Sequence, residues 1–206
     1  MNAPRAFHSA VLLADDRVLA TGGAIADGVF SPADEIYDAV AATWTTTMDP
    51  APARRISCGG YTQTFLTPLP SGAILAAGGL AGDCASGATR ALHADLFNPT
   101  SLRWSPTAKL EIARALTTPT LLADGRVLVA GGYNDSGNVQ SSTEFFDPAS
   151  EGGSLLGALH TARAGHTATR LANGAVLIAG GSDGLGRTNS AEIYLPEIPY
   201  TAAVRR

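Results

Sequence analysis

Four Gly-Gly pairs, at 22–23, 78–79, 131–132 and 180–181, recur along the chain at spacings of 56, 53 and 49 residues. A period of this length marks one supersecondary unit per repeat, with stability supplied by neighbouring units. Each pair closes an apolar run: Val18 to Thr21, Ile74 to Ala77, Val127 to Ala130 and Val176 to Ala179. Runs so continuously apolar are expected of strands covered on both faces.

Before each run stands a turn signal, Asp15-Asp16, Ser71-Gly72, Asp124-Gly125 or Asn173-Gly174. Such dipeptides tolerate positive φ and predict two-residue hairpins. Partner strands are then expected over His8 to Leu13, Tyr61 to Leu66, Leu116 to Leu122 and His166 to Leu171, with extra residues around Thr67 to Pro70. After each Gly-Gly pair comes a polar loop and an acidic–apolar–aromatic triplet: Glu35-Ile36-Tyr37, Asp95-Leu96-Phe97, Glu144-Phe145-Phe146 and Glu192-Ile193-Tyr194. Trp44 and Trp104 follow seven residues beyond the aromatic in the first two repeats, on a short fourth strand. In the third repeat Leu155 or Leu156 is expected in that place, and in the fourth the strand must come from Tyr200 to Val204. No helical periodicity interrupts this pattern, so the chain reads as all-β.

A Gly-Gly pair, an aromatic and a tryptophan repeating at about this period resemble the Kelch motif over practically the whole chain. The resemblance implies a β-propeller built of four Kelch-like four-stranded antiparallel blades in a single domain, 1–206, with repeats at approximately 1–50, 51–110, 111–159 and 160–206. It also implies glycines that allow close backbone approach, with the aromatic and tryptophan packed between neighbouring blades. Trp44 and Trp104 are therefore expected in the core, since large aromatics bury on the order of 150–250 Å² each. Kelch relatives usually carry more blades. Four repeats leave a closed four-bladed ring or a partial propeller completed by association, and an open end would expose apolar surface that drives self-association.

Composition narrows the partners. Only 16% of residues are charged and 45% are hydrophobic, which argues against disorder. The net charge of −4 offers no basic patch for nucleic acid or an anionic membrane. No apolar run reaches the roughly 18 residues of a membrane span. Met1 to His8 lacks the basic-then-apolar order of a signal peptide.

Counting strand directions places the long loops 24–34, 80–94, 133–143 and 182–191 at one edge with the segments leading into each first strand. Long loops on a rigid frame are where binding usually resides. Arg5, Arg55, Arg114 and Arg163 begin those lead-in segments, and Arg5 and Arg163 stand three residues before His8 and His166. These six residues are the candidate ligand-binding set, because inward arginines can clamp a carboxylate or phosphate bidentately. A residue repeated in every unit equally serves the blade itself, bonding backbone carbonyls or loop aspartates. Four scattered histidines give no metal-ligand spacing. Asp27, Asp34, Asp83, Asp135 and Asp183 dot the loops, and Asn134-Asp135-Ser136-Gly137 and Ser182-Asp183-Gly184 could hold calcium weakly, but Asp, Asn, Ser and Gly are also what turns are made of. No metal and no cofactor is therefore expected.

Cys58 and Cys84 fall at the same edge of the second repeat in this strand order, so a disulfide between them is expected, and it would place the chain in a secreted or periplasmic setting. The functional reading is a non-catalytic binding module for a protein or glycan ligand. The alternatives are a structural or self-assembling subunit, and an enzyme distantly related to the Kelch-type carbohydrate oxidases or isomerases. Against the last stands the absence of a nucleophile elbow, a phosphate loop or a tyrosine–cysteine–histidine copper set.

Overall fold

Each repeat folds as an antiparallel meander whose strands pair in chain order. The computed structural model describes residues 1–26, 29–31, 33–47, 56–57, 65–83, 89–90, 93–150 and 152–196. Blade 1 consists of Ser9–Leu12, Val18–Thr21, Glu35–Asp38 and Thr43–Thr46. Blade 2 consists of Phe65–Pro68, Ile74–Ala77, His93–Asn98 and Arg103–Lys109. Blade 3 consists of Thr120–Leu121, Val127–Ala130, Ser142–Asp147 and Gly152–Ala158. In blade 4 the described strands are Thr167–Arg170, Val176–Ala179 and Ala191–Tyr194, and the expected fourth strand lies outside the described residues. The fold is all-β and of the propeller type, with four antiparallel blades. Among the described residues no helix is long and apolar enough to cross a membrane.

The blades group into two compact units, residues 1–108 and 109–206, so the division falls close to the expected border between the second and third repeats. In the first unit, Leu13, Leu19 and Ile36 of blade 1 pack on Ile74, Ala76, Phe97 and Trp104 of blade 2. In the second, Leu122, Leu128, Ala130 and Phe145 of blade 3 pack on Val176, Ile178 and Tyr194 of blade 4. Alternation along each strand sends these residues to one face, and each such side chain contributes about 1.5–3 kcal/mol when fully buried. Tryptophan adds a directed bond, since Trp104 Nε1 donates to Asp34 Oδ2 at 2.8 Å and so ties blade 2 to the loop of blade 1.

The inner strands over Val18, Ile74, Val127 and Val176 fall where the sequence places them, but in blades 1, 3 and 4 their partners are shorter than expected, and in blade 2 the described strand runs to Pro68, past the expected end at Leu66. Phe7, Leu116 and Gly165 hold φ of +59°, +53° and +65°, which turns the chain just before the strand begins. Ala6, Ala115 and Ala164 just upstream pair instead with Ala24, Tyr133 and Ser182 of the following loop. The hairpins also differ from expectation. Asp16, Gly72, Gly125 and Gly174 take positive φ as the last of three loop residues, between Leu13 and Arg17, Leu69 and Ala73, Leu122 and Arg126, and Leu171 and Ala175. This is a type I turn closed by a left-handed residue rather than a two-residue turn. The hairpin of blade 2 carries no extra residues, because Leu69 stands nine before Gly78 as Leu13 stands nine before Gly22.

Two expectations about the aromatic places need correction. Trp44 stacks on Tyr37 with ring centroids 5.0 Å apart, yet it is only half-buried, because it lies on the face of blade 1 turned away from blade 2. In blade 3 neither Leu155 nor Leu156 fills the tryptophan place; both are exposed. Phe146 is paired with Gly153, and a Cβ there would stand 3.0 Å from the Lys109 carbonyl, so backbone occupies the space of the ring.

Candidate functional site

In every lead-in segment that is described, the recurrent arginine is locked inside its own blade. Arg5 donates to the Gly22 and Ala33 carbonyls and to Glu35 Oε2 at 2.7 Å. Arg114 donates to the Gly131 and Ser142 carbonyls, the Ser142 hydroxyl and Glu144. Arg163 repeats the set with Gly180, Ser190 and Glu192. All three side chains are fully buried. Each carboxylate also accepts backbone amides just upstream of the arginine: Asn2 on Glu35, Glu111 and Ile112 on Glu144, His160 and Thr161 on Glu192. One Arg–Glu clasp therefore pins the lead-in segment, the first glycine of the pair and the end of the long loop together. Burial lowers the Arg114 pKa against the opposing pull of Glu144.

The arginines' partner is the acid of the triplet rather than a loop aspartate. The signal that could have shown it is that the arginine and the triplet acid recur together. Arg55, the remaining candidate, lies outside the described residues, as do Cys58 and Cys84.

His8, Thr117 and His166 occupy one slot, each with its Cβ against the second glycine of the pair. A Cβ added at Gly23, Gly132 or Gly181 would stand 2.7, 2.7 and 2.6 Å from the Ala6, Ala115 and Ala164 carbonyls, which is why only glycine fits there. Thr117 Oγ1 satisfies itself on the Ala130 carbonyl at 2.6 Å. The His166 ring, 4% exposed, has no hydrogen-bond partner on either nitrogen. Its pKa falls to about 4, first from burial and then from the nearby Arg163 charge. The Arg163 carbonyl pulls weakly the other way but lies outside hydrogen-bond geometry. Among the described residues no group of three or more His, Cys, Asp or Glu could hold a metal ion.

The loops and the lead-in segments do share an edge, as the bridges from Ala6, Ala115 and Ala164 show. In the second unit two loops meet: Gly184 faces Val139, and a Cβ on it would stand 3.3 Å from Val139 Cγ2. The side chains of Asn134 and Asp183 close their own loops, Asn134 accepting from Asn138 N and Asp183 from Leu185 N and Gly186 N. Those amides hold the Asp183 carboxyl below its ordinary range. These oxygens build turns. Around them Asp135, Asn138, Arg187 and the fully exposed Leu185 form a surface that is mostly polar.

The opposite edge carries a feature that the loop-based reading missed. A cleft of about 320 Å³ in the second unit is lined by Leu122, Asp124, Arg126, Asn173, Leu195 and Pro196. The first unit repeats it with Asp15, Ser71, Asn98 and Pro99. At the cleft of the second unit, Arg126 lies 4.1 Å from the Phe145 ring centre and pairs with Asp124; at that of the first unit, Arg17 pairs with Asp15 and donates to the Pro99 carbonyl. The recurrence of Leu-Leu-Ala-Asp-x-Arg-Val-Leu in repeats one and three is the sequence sign of these arginines, and Arg17 reaches from blade 1 to blade 2. No family model matches the chain. No curated protein matches it either.

Proposed function

We propose that the chain is a non-catalytic, Kelch-like binding module that presents a protein or glycan ligand with the loop edge of its blades. The observation that carries this reading is the close approach of the loops at Gly184 and Val139, which brings together two loops rooted in two clasped blades. Rigid roots lower the ordering cost of binding, which otherwise consumes affinity. Polar side chains around one exposed apolar residue, Leu185, suit a hydroxyl-rich or polar protein surface. The arginines do not contradict an architectural role, since their hydrogen bonds go to the blade itself.

The test is binding of the intact chain to arrayed glycans and arrayed proteins, repeated with the double variant Leu185→Asp/Arg187→Glu. Both positions are exposed, so the variant keeps its unfolding temperature. The expected result is a ligand class whose binding is lost in the variant. Binding that survives unchanged moves the site off this edge, and turnover of a carbohydrate by the intact chain replaces the reading with the enzymatic one.

A further inference from the structure

Blades 1 and 4 each present a sheet face that no blade of their own unit covers. On blade 1 it is the cross-strand row Leu12, Val18, Tyr37 and Trp44. Leu12 is 60% exposed, and the other three are half-buried. The corresponding residues of blade 2 are Ile74, Phe97 and Trp104, with the last two rings 5.1 Å apart, and all three are buried against Leu13, Leu19 and Ile36 of blade 1. On blade 4 the free face carries the rows Thr169, Leu177, Ile193 and Thr167, Ala179, Ala191, none of them charged. Ile193 is 37% exposed. The residues that correspond to Leu177 and Ile193 are Leu19 and Ile36 in blade 1 and Leu128 and Phe145 in blade 3, and in both places they are buried against the next blade.

Each unit thus leaves one half of a blade junction uncovered by its own blades. The aliphatic half on blade 4 and the aromatic half on blade 1 have no cover from their own unit, and both halves are already joined once inside each unit. We infer that these two faces pair between copies of this chain, blade 4 of one copy covering blade 1 of another. The contact joins two different faces, so it is head-to-tail, and it satisfies every copy only when the set of copies closes. A small polar ligand finds no hydrogen-bonding charge on the blade 4 face, and another copy supplies the matching row.

Light scattering after size exclusion tests the pairing on the intact chain, on Leu12→Glu, on Ile193→Asp and on an equimolar mixture of the two variants. Both positions are exposed, and circular dichroism with thermal unfolding confirms that each variant keeps its fold. The intact chain is expected to run as two or more copies that dissociate on dilution. Each variant is expected to weaken association on the order of a hundredfold, because an unpaired charge is not accommodated in an apolar contact. The mixture is expected to associate more than either variant alone, since each keeps the face that the other has lost. A monomer at every accessible concentration overturns the pairing, as does association that neither variant weakens. A mixture no better than its components overturns the head-to-tail arrangement.

Discussion

The Glu144 carboxylate does three things at once: it neutralises a buried guanidinium and accepts two backbone amides. Removing one member of such a pair costs far more than the pair contributes relative to apolar residues, because the remaining charge stays buried. Glu144→Ala is therefore expected to lower unfolding stability by about 3–5 kcal/mol in denaturant titrations. Asp124→Ala, which breaks the more exposed pair with Arg126, is expected to cost less than about 1 kcal/mol. His166 contributes a pH dependence of its own. Its folded pKa of about 4 lies below the ordinary histidine value of 6.5, so the unfolded chain binds the proton more readily. The contribution of His166 is then full above pH 6.5, is lost as pH falls towards 4, and amounts to at most about 3 kcal/mol. His166→Thr, copying the residue at the same slot in blade 3, is expected to flatten this window in unfolding curves taken at stepped pH. The histidine and the arginine were both visible in the sequence as recurrent positions. Their burial was not, because a lead-in segment reads the same whether its side chains point into the blade or out to a ligand.

At the scale of the blade, what the sequence made legible followed from strict local demands. The Gly-Gly pairs and the runs before them marked four inner strands, because two successive positive φ values and the carbonyl contact behind the second glycine admit no other residue. Gly181→Ala is expected to destabilise by more than about 2 kcal/mol, since its Cβ meets backbone as well as an unfavourable φ. Gly174→Ala, with the same sign of φ but open space around it, is expected to cost about 1 kcal/mol. Phe7→Gly runs the other way. The bulky residue sits in the left-handed region and is 62% exposed, so relief of strain exceeds lost burial and the variant gains about 0.5–1 kcal/mol in thermal unfolding. What stayed illegible was whether a neighbour covers a given face. The tryptophan place of blade 3 was legible by contrast, since Gly153 stands seven residues beyond Phe146 as Trp44 stands beyond Tyr37, and the expectation of Leu155 or Leu156 followed hydrophobicity instead of that spacing. Trp44 matched the motif and still lies half-exposed, because a motif describes a blade and says nothing of whether a neighbour covers it.

Over the whole molecule, charge is sparse and the calculated isoelectric point is about 5.5. Near that pH the net repulsion that keeps copies apart vanishes, and turbidity is expected to peak there and to fall on either side. The clasps bear on a different property, the freedom to change. In blade 3 the lock closes on the carbonyls of Gly131 and Ser142, which border the loop, and on nothing between Asn134 and Asn138. Selection can therefore rewrite that short stretch without touching the bonds that secure the strand behind it. The same frame can carry many different rims, and foreign peptides spliced there should inherit its rigidity.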